Sequence, residues 1–467
     1  MRIGVIGAGP SGLAVAWEIV SRARAREVAV EVDVYERAPR PGGNVWTDVV
    51  DGYHVEQGPE GFLDSAPRTI ALATELGLRD RLVSGSDAAR HRFLYVDGRL
   101  HPVPTGPLAF LRSGILSMPG RLRVFTEPLR PAGTEEDESV LSFATRRMGG
   151  EAARRLVGAM VSGIHAGDPA ALSMPAAFPE LARMERAHGS LTRALIATRR
   201  ASKRTGRRVG GPAGPAGRLT SFVGGLRDLI DALAQELGPR VHLNAAAREA
   251  RWTGEGWRVA IGGTDEVFDG LIVTTPPWHA ARLVKDVDPE LARPLRDIPW
   301  APVTVVALGF RASELGDVSL DGFGFLVPAG QGVRLLGCLW SSSIFPGRAP
   351  QGRVLLRALV GGARDPEAAG YDDEALLDLV RYDLAQTMGI EATPELVRIY
   401  RHPRAIPQYT LGHLQRLDAV RHRLERLPGL LLHGNGYRGV ALNDSLRLAG
   451  EIAEAALGRR PSAVGVQ

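Results

Sequence analysis

Arg2-Ile3-Gly4-Val5-Ile6-Gly7-Ala8-Gly9-Pro10-Ser11-Gly12, followed by the amphipathic stretch Leu13 to Val20, decides how this chain begins to fold. The run Arg2 to Ile6 is apolar and short, as suits a buried parallel strand. Gly7 allows a tight turn, Gly9 the close approach of a pyrophosphate, and Gly12 the packing of helix on strand. Ala8, Pro10 and Ser11 complete a turn that aims a helix N-terminus at phosphate groups. A second strand, Val28 to Tyr35, carries alternating valines and ends at Glu36. A carboxylate there accepts hydrogen bonds from adenosine ribose hydroxyls and repels a 2′-phosphate, which favours FAD or NAD over NADP.

The totals set the frame. A chain of 467 residues predicts two or three domains. With 44% hydrophobic and 23% charged residues it reads as a soluble globular protein, and no stretch reaches the roughly 20 apolar residues that a membrane-spanning helix needs. Ile3 to Ile19 reads as strand, turn and helix rather than a signal peptide, so a cytoplasmic location is expected. Cys338 is the only cysteine, which excludes an intrachain disulfide and a cysteine-based metal cluster; no metal site is expected. The net charge of +5 rests almost wholly on arginine, with Lys203 and Lys285 the only lysines. That bias reads as codon composition, and no nucleic-acid partner is expected.

Further along, Phe93 to Leu100 predicts a hairpin around Asp97-Gly98. From Pro102 to about Met184, helices are broken by Pro and Gly. Within Leu108 to Leu129 apolar residues alternate with Arg112, Arg121, Arg123 and Arg130. Such a stretch either lies on an anionic bilayer surface or packs its apolar face in a helical subdomain. Thr205 to Gly217, dense in Gly, Pro and Arg, reads as a mobile loop. Leu271-Ile272-Val273-Thr274-Thr275-Pro276-Pro277 reads as a buried strand that stops at the two prolines. Pro302 to Val360 is β-rich, predicting a mixed sheet beside a ligand chamber. Strand, glycine turn and helix then return in Leu431 to Asp444. The division expected is 1–90, 212–280 and 418–467 for a dinucleotide domain, 91–204 for a helical part, and 281–417 for a substrate domain.

Glu36-Arg37-Ala38-Pro39-Arg40-Pro41-Gly42-Gly43 resembles the second glycine motif of the large flavoprotein superfamily that includes amine oxidases. Nicotinamide dehydrogenases lack that extension, so FAD is implied. Asn44 stands where many relatives have Arg, and only its backbone role carries over. Gly58-Pro59-Glu60-Gly61 is a further turn of the kind that lies against flavin. Across nearly the whole chain the sequence resembles the oxygen-dependent protoporphyrinogen IX and coproporphyrinogen III oxidases. The motifs are Gly7 to Gly12, Arg92-Phe93-Leu94-Tyr95, Gly163-Ile164-His165-Ala166-Gly167-Asp168, Gly322 to Pro328, Val360-Gly361-Gly362, Ile406-Pro407-Gln408-Tyr409 and residues 434 to 444.

The fold implied is α/β: a Rossmann-type FAD-binding domain built from discontinuous segments, a mixed-sheet substrate domain and a helical subdomain. By this resemblance Arg92 anchors a propionate of the tetrapyrrole, a task suited to guanidinium. Leu326, Leu339 and Leu359 sandwich the macrocycle, Phe323 is an aromatic wall, and the Gly163 carbonyl faces the substrate. Further FAD contacts map to Arg37, Ala247, Gly434, Asn435, Val440, Ala441 and Leu442. His165 is expected to line the pocket rather than to catalyse. The reaction implied is oxidation of a porphyrinogen by FAD with oxygen as acceptor, and no side chain is assigned as a catalytic base. Protoporphyrinogen IX is the expected substrate, with coproporphyrinogen III the alternative. Val303 to Val306 holds no lysine and 434 to 444 no cysteine, which argues against an amine oxidase and for non-covalent FAD. A flavin-free carrier on the same fold would be expected to have an eroded glycine motif. A homodimer, peripheral membrane contact and hand-off to a ferrochelatase are also implied.

Overall fold

The computed structural model describes residues 1–205 and 217–458. Most of the segment expected as a mobile loop, residues 206–216, lies outside the described residues. Arg2–Ile6 sits at the middle of a five-stranded sheet in the order Val241–His242, Glu31–Tyr35, Arg2–Ile6, Gly270–Val273, Leu430–Leu432, and every pairing is parallel. Arg2–Ile6, Gly270–Val273 and Leu430–Leu432, far apart in sequence, meet because they are apolar runs buried almost throughout. The second strand begins at Glu31, not at Val28: Glu31 pairs with Arg2, so residues before it have almost no neighbouring strand to bond.

Helices Pro10–Ala25, Arg227–Leu237 and Leu442–Leu457 cover one face of this sheet, burying Leu13, Ile19, Leu229, Leu233, Leu446 and Ile452. The other face meets an antiparallel layer, Ala247–Trp252, Trp257–Ile261 and Thr264–Phe268, with helices Pro277–Val284, Pro289–Arg296 and His413–Leu424. Helix Pro289–Arg296 therefore packs with the dinucleotide sheet although the expected boundary falls at 280. Its buried Leu291 and Leu295 find their apolar partners there.

A seven-stranded mixed sheet runs Leu396–Pro407, Trp300–Arg311, Arg353–Gly361, Leu335–Leu339, Gly324–Leu326, Arg92–Val96, Arg99–Pro102. The hairpin at its end falls in 91–204, the stretch expected to be mostly helical. Arg92–Val96 pairs in parallel with Gly324–Leu326, so its backbone groups are satisfied in the sheet. Because side chains alternate across a sheet, one face gives Phe325, Cys338, Leu356, Ala358 and Leu308 to a core shared with helix Asp373–Met388. The register places Leu94, Leu326, Leu359 and Val305 on the opposite face.

The remaining helices lie over that opposite face. Helices Val140–Met148, Gly158–His165 and Pro179–His188 enclose a small core of Val140, Phe143, Val157 and Leu172. Arg147, wholly buried, is paired with Glu127, which also accepts hydrogen bonds from the Ser190 hydroxyl (2.7 Å) and the Leu191 and Thr192 amides (2.9 and 3.1 Å). Burial alone would raise the Glu127 pKa, but these donors outweigh it and hold the carboxyl at about 2. The stretch Leu108 to Leu129 forms short helices, Pro107–Arg112 and Met118–Phe125 and a single turn Glu127–Leu129. Ile115 and Leu116 are buried, whereas Leu108, Met118, Leu122, Phe125 and Leu129 are exposed. Among the described residues no helix is long and apolar enough to cross a membrane.

The glycine turn is sterically closed at one position. A Cβ on Gly12 would collide with the Gly7 carbonyl oxygen and crowd Thr274 Oγ1 at 2.7 Å. Overpacking of this kind costs about 3 kcal/mol. Gly12→Ala is expected to lower the free energy of unfolding by that amount and to release the cofactor, which equilibrium urea unfolding and the flavin absorbance of the purified protein would report.

Candidate active site

A single cavity of 3460 Å³ runs between the two sheets and under the helical layer. Its size is several times the roughly 300–1,000 Å³ of a site for one small ligand. At one end it meets the first glycine turn. Gly7 turns the chain at φ +106, and Gly9 has nothing within 4 Å of where a side chain would begin. Gly43, at φ +56, brings the second glycine turn beside the first: a Cβ there would lie 3.7 Å from the Gly9 Cα. Helix Pro10–Ala25 has no side-chain cap and no acidic residue in its first turn, leaving its amide N–H groups for an anion. Glu36 accepts hydrogen bonds from the Ala8 and Ala38 amides, both at 2.9 Å, which ties the end of the second strand to the turn. Thr274, expected within the strand, lies just past its end and donates its hydroxyl to the Ile6 and Gly7 carbonyls (2.9 and 3.0 Å), which holds strand Gly270–Val273 there.

The expected residues Gly7, Gly9, Pro10, Ser11, Glu36, Arg37, Gly43, Asn44, Gly58 to Gly61, Ala247, Gly434, Asn435 and Val440 to Leu442 all line this cavity. Ala8, Gly12 and Gly42 do not. Ala8 is fully buried and contributes its amide to Glu36. Gly42, at φ +100, is packed against Ile230. Helix Leu442–Leu457 brings a second uncapped N-terminus to the cavity at Ala441. These cradles fit a dinucleotide: an open glycine turn, the free N-terminus of helix Pro10–Ala25 and a carboxylate at the strand end.

The substrate end is the apolar face of the seven-stranded sheet. Arg92, Phe323, Leu326, Leu339 and Leu359 line it, with Gly163 above. Leu326, Leu339 and Leu359 are half-buried within a sheet whose opposite face is buried, so their free surface faces the cavity. Helix Gly158–His165 approaches most closely at Gly163, where a Cβ would press on Leu326 Cδ1 at 2.7 Å. The Arg92 guanidinium lies 5.1 Å from the centre of the Phe323 ring, a cation–π contact that orients it. Solvent reaches Arg92, yet the protein around it desolvates the charge enough to lower its pKa. His165 is buried; burial pulls its pKa down to about 4, and neither ring nitrogen has a partner among the described residues.

A buried ion pair was not legible beforehand. Arg357 is the cation in the middle of the apolar strand Arg353–Gly361, and register puts it on the cavity face opposite Leu339 and Ala307. It pairs with Glu60 and donates to the Gly58 carbonyl at 2.6 Å, fastening the 58–61 turn to the sheet. Glu60 Oε1 and Arg357 Nε have no partner among the described residues while both residues line the cavity, as suits a ligand with a polar edge. Nearby, Arg348 lies 3.4 Å from Glu56, whose other bonds are to the Leu226 amide (2.9 Å) and Thr47 hydroxyl (2.8 Å). Burial, with the Glu60 charge, pushes the Glu56 carboxyl up to about 7 against the pull of Arg348.

The chain has relatives among known proteins. The family of flavin-containing amine oxidoreductases matches residues 10–457. The chain belongs to that family. It is an FAD-dependent oxidoreductase, and within the family its relatives are porphyrinogen oxidases. Chloroplastic protoporphyrinogen oxidase of Nicotiana tabacum is 34% identical over 97% of this chain and 85% of the relative. Coproporphyrinogen III oxidase of Bacillus subtilis is 29% identical over 95% of each chain. Among solved structures, an Exiguobacterium sp. 255-15 protein provisionally described as a protoporphyrinogen oxidase superposes with a TM-score of 0.83 at 25% identity, covering 98% of this chain and 99% of that one. A putrescine oxidase variant shares the fold at a TM-score of 0.72 and 18% identity, over 98% and 100%.

Removing one member of a buried pair costs about 3–5 kcal/mol, because the other charge is left without compensation. Arg357→Met is therefore expected to lose stability of that order and bound flavin, while Arg357→Met with Glu60→Gln recovers part of both; urea unfolding and flavin absorbance read the two. Glu56 makes a pH prediction. Its folded pKa of about 7 lies above the ordinary 4.5, so the stability it contributes is fully present below pH 4.5 and lost as pH rises through about 7. Glu56→Gln is expected to flatten that decline in a pH series of thermal unfolding.

Proposed function

We propose that this chain oxidises a porphyrinogen, protoporphyrinogen IX in the first instance, using non-covalently bound FAD and molecular oxygen. The observation that carries the reading is the pairing of a dinucleotide cradle with a large apolar chamber that has a cation, Arg92, at its wall. The names of the relatives support the substrate class. A porphyrinogen is a broad, flexible, mostly apolar macrocycle with acidic side chains. Leu326, Leu339 and Leu359 offer it an apolar wall, the face of Phe323 packs with Arg92, and the guanidinium fits a propionate in two-pronged fashion.

Bound FAD supplies a hydride acceptor, the chemistry that oxidation of a bridge carbon requires. The protein's own residues position and exclude water. The glycine turns and Glu36 fix the cofactor's adenosine and phosphate end, the Arg357–Glu60 pair holds the 58–61 turn against the chamber, and the leucine wall keeps the ring in a dry site. The missing lysine in Val303 to Val306 and the position of Cys338 support this over amine oxidation by covalently held flavin. Cys338 points into the core away from the cavity, and burial raises its thiol pKa to about 12. Cytoplasmic location, contact of the exposed Leu108 to Leu129 side chains with the inner membrane surface, a homodimer and transfer of product to a ferrochelatase belong to the same proposal.

Three measurements test it. Anaerobic mixing with protoporphyrinogen IX is expected to bleach the visible flavin absorbance within turnover time, and a spectrum that stays yellow with both porphyrinogens overturns the reading. Arg92→Ala is expected to raise KM about 10-fold or more, the worth of a charge-assisted hydrogen bond of roughly 1.5–3 kcal/mol, with flavin content intact. Steady-state kcat/KM for both porphyrinogens should favour protoporphyrinogen IX; a higher value for coproporphyrinogen III selects the alternative.

A further inference from the structure

Outside the main cavity, a second pocket of 380 Å³ opens where helices Pro277–Val284 and Pro289–Arg296 meet the strand Leu396–Pro407. Arg282, Lys285, Arg296 and Arg404 line it, together with Trp278 and Trp300; the rest of the lining is alanine, isoleucine and proline. No acidic residue contributes. The indoles of Trp278 and Trp300 stand edge to face, 4.6 Å between centres at 89°, and form a rigid wall. Arg404 is held against Trp278, its guanidinium carbon 4.7 Å from the ring centre. Arg282, Arg296 and Arg404 make no ion pair among the described residues, and Lys285 has only the exposed Asp286 at 3.9 Å. The cations come from three separate elements, so the convergence is a product of the fold rather than of a basic run in the sequence.

Charges of one sign gathered in a concave, partly apolar site repel one another and raise the local concentration of counter-ions. A neighbouring group registers that field. His279 beside the pocket is held neutral, with a pKa near 4, by burial and then by Arg37, Arg282 and Arg404. Guanidinium groups offer paired N–H donors matched to the oxygens of carboxylate or phosphate.

We propose that this pocket is an accessory binding site for a small polyanion carrying two or more carboxylate or phosphate groups. It is separate from the FAD cradle and the porphyrinogen chamber, and it does not rest on the porphyrinogen reading. Trp278, Arg282, Trp300 and Arg404 also border the main cavity, so an occupant touches the wall that the two sites share. Lys285 and Arg296 belong to the small pocket alone.

The test uses the FAD-loaded protein, whose own phosphate cradle is filled, at constant ionic strength. Calorimetric titration with inorganic pyrophosphate and, separately, with citrate is expected to give saturable one-site binding for at least one. Pyrophosphate alone binding assigns a phosphate ligand, and citrate alone a carboxylate. Lys285→Gln with Arg296→Gln is expected to weaken binding at least tenfold while flavin content and turnover stay as in the wild type. Arg293→Gln, an exposed cation of the same helix outside the pocket, is expected to leave binding unchanged. No saturable binding of either anion, equal affinity in the double variant, or equal loss in Arg293→Gln overturns the proposal.

Discussion

Two buried carboxylates, Glu56 and Glu60, and the two buried arginines that face them carry the junction between the halves of this molecule. The segment holding the carboxylates crosses from the dinucleotide side to the ligand sheet, and its turn at Gly58 to Gly61 lines the cavity. Ionic groups in such a place are costly to desolvate and tolerable only in mutual contact. That condition makes the placement specific. Arg357 can sit in the middle of an apolar strand only if Glu60 reaches it, and Glu60 can do so only when the glycine turn lies flat on the sheet. Geometry at the centre of the cavity thus follows from the need to neutralise charge, and the leucine wall follows from the strand register around Arg357.

The ligand sheet divides its labour by alternation. One face seals against helix Asp373–Met388, and the other remains open to the cavity. Glycines keep that open face recessed: at Gly337 a side chain would run into the Phe325 carbonyl and Leu326, and at Gly324 into the Cys338 carbonyl. Small residues in two adjacent strands therefore make room for half-buried leucines beside them. Gly163 does the same from the helical side, allowing a helix to come down on Leu326. A chamber with these walls suits a broad flat apolar ligand, and the single guanidinium packed on Phe323 gives it a polar point of attachment.

The glycine turn, its strand and helix, and Glu36 were legible because their constraints are local: each depends on a few consecutive residues and on φ angles that only glycine adopts freely. The β-rich run from Pro302 to Val360 was legible for a similar reason, as its strands are short apolar runs between turns. Leu396–Pro407 was not read as a strand. It carries Arg398, Arg401 and Arg404 and two prolines, and it is half-exposed at a sheet edge, where proline and charge are tolerated. The hairpin at Arg92 was read as a hairpin, but its parallel pairing was not, since the partner strand lies more than two hundred residues away.

By itself the sequence determined the kind of cofactor cradle, through residue type and short spacing written along the chain, and its motifs resemble those of one family; Arg92, Leu326, Leu339 and Leu359 were site candidates only through that resemblance. Tertiary structure alone decided which cations face which carboxylates, which glycines touch the cavity and which sit behind it, and that four basic residues share one acid-free pocket. Such pairings depend on strands and helices distant in sequence coming within a few ångströms of each other, and no local pattern encodes that distance.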